Sequence, residues 1–163
     1  MVRLEGCSLS ADDWQLLADN LNGVTWHMTH LNTLNQDSVP QEAGIYLLVT
    51  DGHCLSDKYY LPENIENVIY VGKSKSLRDR FKQHAAVSPQ NPLLRNCRHT
   101  FGNLRYIFTL VPSTTTSTQE DWMSAVEATL VKVLSPPANQ NVPQGPKITA
   151  KVGSPQPVGQ SII

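Results

Sequence analysis

Residues 68–86 read Val68-Ile69-Tyr70-Val71-Gly72-Lys73-Ser74-Lys75-Ser76-Leu77-Arg78-Asp79-Arg80-Phe81-Lys82-Gln83-His84-Ala85-Ala86. Val68 to Val71 form a short strand of buried type, since β-branched and aromatic residues crowd together and a glycine closes the run. Beyond it the period changes. Leu77, Phe81 and Ala85 recur at i, i+4 and i+8, which predicts a helix over 75–86 with Ser74 or Ser76 as N-cap and with Pro89 and Pro92 ending it. Upstream, Gly44-Ile45-Tyr46-Leu47-Leu48-Val49-Thr50 is a second β-rich run, closed by the turn signal Asp51-Gly52 and returning as an edge strand over 53–61. Downstream, residues 104–110 alternate as a third strand. A helix is expected over 119–134, where Ser117 and Glu120 have capping-box spacing and Pro136-Pro137 stop it. Residues 10–21 predict a short helix capped by Ser10, and 23–42 lack a steady period and read mostly as loop. The fold expected is α+β: a small, mainly antiparallel three-stranded sheet flanked by helices, with a hairpin from residues 51–67 as an optional edge. The chain divides into an N-terminal helical extension (1–42), a central domain (43–141) and a flexible Pro/Gly-rich tail (142–163).

The length of 163 residues suits one main core, and 40% hydrophobic with 17% charged residues excludes a chain disordered throughout. No stretch approaches the roughly 18 apolar residues of a membrane helix, and the N-terminus lacks the apolar core of a signal peptide. Three cysteines without CxxC spacing give neither a disulfide framework nor a cysteine-rich metal site, so a reducing, cytoplasmic setting is expected. His53-Cys54 and Cys97 with His99 likewise lack zinc spacing. Trp14, Trp26 and Trp122 read as core or interface residues. The formal net charge of -1 hides a segregation. Residues 1–72 hold ten acids against Arg3 and Lys58, whereas 73–105 hold eight Lys and Arg against Asp79 alone. Clustered cations mark phosphate binding, although a solvated helix face carries the same charge.

Gly44-Ile45-Tyr46, then Tyr70-Val71-Gly72, then Arg80 with His84 one turn later, Glu127 on a downstream helix and Asn139 after a Pro-containing turn stand in one order. This pattern resembles the GIY-YIG nuclease family, and 127–139 is most similar to the N-terminal incision domain of bacterial nucleotide-excision repair. The resemblance covers about residues 43–141. It implies a metal-dependent endonuclease that hydrolyses DNA phosphodiesters by direct water attack, with one Mg²⁺ or Mn²⁺.

Each residue type suits such chemistry. Glu127 is a lone acid on an apolar helix stretch, and a hard cation held by one carboxylate, waters and a phosphate would satisfy it. Arg80 offers a planar fork for transition-state charge. Lys73 can reach phosphate or lower a tyrosine's pKa, and His84, sharing a helix face with Arg80, can orient water or a tyrosine. By resemblance Tyr46 is the general base and Tyr70 a hydrogen-bonding partner of the phosphate or water. Gly72 would let the backbone turn sharply beside the phosphate. Lys75, Arg78 and Lys82 supply attraction to the nucleic-acid backbone, with Arg78 serving only that purpose, and Asn139 ties the last loop to the substrate site. Residues 51–67 lengthen the gap between the tyrosines, as a gate or as decoration. Specificity would come from a homodimer or a protein partner. Two other readings stay open: a non-catalytic nucleic-acid binding module, and an interaction domain whose acidic half covers its basic block.

Overall fold

A computed structural model of the chain describes residues 10–86 and 91–139, together with the backbone of two short paired strands, β1 (Arg3–Leu4) and β2 (Cys7–Ser8). The main body is an α+β fold on an open, antiparallel four-stranded sheet ordered β3-β6-β4-β5. Its strands are β3 (His27–His30), β4 (Gly44–Thr50), β5 (Val68–Ser74) and β6 (Leu104–Leu110). The helices are α1 (Ala11–Leu21), α2 (Gly52–Tyr59), α3 (Leu77–Ala85), α4 (Pro92–Phe101) and α5 (Gln119–Leu134). No helix among the described residues is long and apolar enough to cross a membrane.

Each face of the sheet has its own core. On one, α1 and α5 bring Leu17, Trp122, Met123, Val126, Leu130 and Val133 onto Ile45 and Val71. On the other, Leu77, Phe81 and Ala85 of α3 and Leu94 of α4 cover Tyr46, Leu48, Tyr106 and Phe108. The alternation along β4 divides the two sets: Tyr46 and Leu48 face α3, and Ile45 faces α5. Full burial of such side chains contributes about 1.5–3 kcal/mol each. Of the tryptophans, Trp122 is buried, while Trp14 and Trp26 stay 42% and 37% exposed.

Four differences from the sequence reading have physical causes. The sheet has four strands, not three, because His27–His30, inside the segment read as loop, pairs with His30↔Arg105 through His27↔Phe108 of β6. Residues 52–59 are helical rather than a hairpin strand. The Asp51 carboxylate accepts from His53 N at 3.0 Å, so the side chain that favours a turn caps a helix instead. Helix α4 starts at a proline expected to end one, since Pro92 occupies the first turn, where no N–H is needed, and the Asn91 side chain accepts from Leu93 N and Leu94 N. The cap of α5 is Thr118, accepting from Asp121 N at 3.1 Å, while Ser117 turns to Thr115. The expected tail at 142–163 lies outside the described residues.

Candidate active site

Register brings three tyrosines together. Tyr46 stands opposite Gly72 on one side and Phe108 on the other, and Leu48 opposite Tyr70 and Tyr106. Tyr46 thus lies diagonal to both other tyrosines on the α3 face. Its ring stacks on Tyr106 at 5.1 Å and 13° and on Tyr70 at 5.9 Å and 29°. Space for this comes from Gly72, while Gly44 lets β4 lie close against β6 and Leu77. A Cβ at Gly72 would lie 2.3 Å from the Tyr46 hydroxyl, and one at Gly44 would lie 2.1 Å from Thr109 O. Gly72 is therefore a strand residue that makes room for a phenol, not the sharp turn expected.

Above this layer α3 is fixed at both ends. Its first N–H groups are taken by the preceding loop, Leu77 N donating to Glu42 O and Arg78 N to Pro40 O, both at 3.0 Å. Ser76 caps it through Asp79 N. The Tyr106 hydroxyl donates to Leu77 O at 3.2 Å, and Phe81 meets the Tyr106 ring edge-on. So held, α3 lowers His84 onto Tyr46, with 2.9 Å between Nε2 and the phenolic oxygen and both residues buried. Tyr70 approaches the same imidazole edge-on at 5.6 Å.

Burial dominates the protonation of this pair. It pushes the Tyr46 phenol far above its usual range, with help from the neighbouring Tyr70 and Tyr106 and against a pull from Arg80. Burial, then the charges of Arg80 and Arg98, push His84 down to about 4. A phenol that holds its proton and an unprotonated imidazole share this hydrogen bond, and in the tautomer with its proton on Nδ1 it is Tyr46 O–H that donates to His84 Nε2. Lys73, named for lowering a tyrosine's pKa, does not act on this one, since it points elsewhere, and His84 is neutral at neutral pH.

Lys73 projects toward α5, donating to Glu120 and, at 2.6 Å, to Ser124 Oγ. Beside it, half-buried Glu127 reaches the outer edge of β5. Burial raises its carboxyl above the usual range, while the Lys73 cation, the Lys73 backbone N–H and Arg80 pull it back. The same edge is closed by Asn139, whose Oδ1 accepts from Val71 N and whose Nδ2 donates to Val71 O, both at 2.7 Å. Ala138 N donates to Ile69 O at 2.9 Å. Asn139 therefore ties the chain after α5 to the strand bearing Tyr70 and Gly72, and its amide is occupied by that task.

The arginines of α3 diverge. Arg78, expected on the outside, turns back onto the loop, donating to Val39 O at 2.7 Å and Asp37 O at 3.3 Å. Arg80, two residues on, makes no side-chain hydrogen bond or ion pair among the described residues, yet its charge acts on Tyr46, Tyr106, His84 and Glu127. Lys75 and Lys82 are exposed nearby. The structure thus brings together Tyr46, Tyr70, Gly72, Arg80 and His84, sets Lys73, Glu127 and Asn139 along the edge of β5 with Glu127 under the charge of Arg80, and diverts Arg78. It adds Tyr106 and Arg98, which sequence reasoning missed. Tyr106 stood in a recognised strand but outside the motif, and Arg98 counted only as charge.

Among the described residues no group of three or more His, Cys, Asp or Glu comes together, so a cation at Glu127 would have at most one further ligand of these types from the described residues. A half-buried carboxylate with a raised pKa and no ion pair at bonding distance suits a hard divalent ion that takes its other oxygens from water and phosphate. Comparison with protein-family models, with curated proteins and with solved structures finds no match to this chain.

Proposed function

We propose that this chain is a metal-dependent endonuclease of the GIY-YIG type that hydrolyses DNA phosphodiester bonds. The observation that carries the reading is the position of Arg80, a half-buried guanidinium without a bonded partner among the described residues, acting at once on a phenol of β4, an imidazole of α3 and a carboxylate of α5. An arginine so placed has a fork to offer an incoming phosphate and stabilises charge that grows on it.

A water attacks phosphorus, and the bond to the leaving oxygen breaks. The water's proton passes to Tyr46 Oη as the Tyr46 proton passes to His84 Nε2. Coupling the two transfers avoids a free phenolate, which the burial of Tyr46 would make costly. The leaving oxygen is protonated by solvent. Arg80 compensates the phosphate's charge, Tyr70 hydrogen-bonds the phosphate or the water, and exposed Lys75 and Lys82 attract the backbone. Glu127 would hold one Mg²⁺ or Mn²⁺, which when bound supplies Lewis-acid polarisation of the phosphate. The backbone N–H and charge of Lys73 favour the Glu127 carboxylate at the strand edge, while Glu120 and Ser124 hold the Lys73 ammonium.

One observation favours the non-catalytic binding module. A phenol held so far above its usual range is a poor base by itself. The two readings part on cleavage of supercoiled plasmid and branched duplexes with Mg²⁺, Mn²⁺ or EDTA, using native protein and Glu127→Ala. Metal-dependent nicking that the variant lacks is expected. Binding with a steep salt slope and no nicking by either protein would select the binding module.

A further inference from the structure

Helix α4 carries a cation that the hydrolysis above does not use. Arg98 Nη1 donates to His84 O at 3.0 Å and to Ala86 O at 2.6 Å. Both carbonyls belong to the last turn of α3 and its cap, where the helix has no N–H of its own left to offer. A cation there also meets the negative end of the helix dipole. We propose that Arg98 is a positioning residue for the Tyr46–His84 pair, fastening the end of α3 so that the imidazole keeps its place on the phenol, and presenting a positive charge to that imidazole.

The inference rests on the proposed role of Tyr46 and His84 in hydrolysis. The groups facing the imidazole are Tyr46 from β4, Tyr70 from β5, Arg80 from its own helix and Arg98 from α4. Two phenols and two cations, with no carboxylate among them, disfavour an imidazolium, in keeping with the fall to about 4. The charge of Arg98 thus keeps the resting imidazole unprotonated and able to accept, and it also raises the cost of the imidazolium that acceptance forms. Arg80 would turn toward an arriving phosphate, whereas Arg98 is held by two carbonyls and stays.

Nuclear magnetic resonance titration of the His84 ring in the full chain tests this, with the His84 signal assigned by its loss in His84→Gln. Native protein is compared with Arg98→Lys, which keeps the charge on a weaker anchor, and Arg98→Gln, which keeps a donor without charge. The expected order of midpoints is native, then Arg98→Lys, then Arg98→Gln, rising toward 6.5. If Arg98→Gln does not fold by circular dichroism, Arg98→Lys is read alone. Its midpoint should lie above native, and an unchanged midpoint with unchanged ring shifts overturns the proposal. A native midpoint near 6.5, or equal midpoints in native and folded Arg98→Gln, also overturns it. The readout is independent of cleavage. Shifting midpoints in a protein that cuts nothing support Arg98's role and sink the hydrolytic reading, and fixed midpoints in a protein that nicks DNA do the reverse.

Discussion

The two faces of the sheet are built from similar material and arranged for different purposes. Under α5, Ile45 and Val71 meet Trp122, Met123, Val126 and Leu130, and the only carboxylate of the helix's middle, Glu127, escapes to the edge of β5. Under α3 the layer is aromatic and polar-tipped: Tyr46, Tyr70 and Tyr106 with His84 above them. Each buried phenol and the imidazole needs a partner for its polar atom, and Tyr106 finds Leu77 O while Tyr46 and His84 find each other. On the function proposed above, the α5 face provides rigidity and one carboxylate at the rim, and the α3 face would carry the proton from water to His84. Edge strand β5 is where the two meet.

That contrast can be broken most severely at the rim. Glu127→Gln, nearly the same shape without charge, should lower metal-dependent cleavage by about 10²-fold or more while the melting temperature barely moves. A rate near native would show that the carboxylate is ordinary surface chemistry. Next comes the α3 face. In Gly72→Ala the new methyl meets the Tyr46 hydroxyl at 2.3 Å, which should cost about 1–3 kcal/mol in denaturant unfolding and displace the phenol from His84. A neutral Gly72→Ala would mean that the layer yields.

The pH dependence of stability follows from His84. Its folded pKa, about 4, is below the unfolded 6.5, so between those values the unfolded chain binds the extra proton. Stability from this group is therefore complete above 6.5 and falls as pH drops toward 4, by at most ~1.4 kcal/mol per pH unit. His84→Gln should flatten that part of the curve, and an unchanged slope would assign it to the carboxylates. The smallest effect is expected from Tyr106→Phe, which removes one hydrogen bond to Leu77 O and keeps the stack, for about 0.5–1.5 kcal/mol. A larger loss would move the main anchor of α3 from its cap to Tyr106.

The elements that position the site were legible because their signals are local. Residues 44–50, 68–74 and 104–110 announce themselves by β-branched and aromatic content, α3 by period and cap, and α5 by the prolines that stop it. Strand β3 was not legible, because four largely exposed residues become a strand only by pairing with β6. Helices α2 and α4 were misread because Asp51-Gly52 and Pro92 suit both a turn and a helix start. Within the site, Tyr46, Gly72, His84 and Glu127 followed from the motif. The divergence of Arg78 and Arg80 did not, since both look alike on one helix and differ only through carbonyls of Asp37 and Val39, some forty residues earlier. Nor could spacing reveal that Lys73 turns to Glu120 rather than to a tyrosine.

The most direct test uses those two arginines side by side, measuring Mg²⁺-dependent plasmid nicking and thermal melting for Arg80→Ala and Arg78→Ala. The account predicts that Arg80→Ala melts near native and cuts about 10²-fold or more slowly, whereas Arg78→Ala melts earlier and cuts near the native rate at temperatures where it is folded. Equal cleavage by Arg80→Ala and native protein, or a greater catalytic loss in Arg78→Ala, would contradict it.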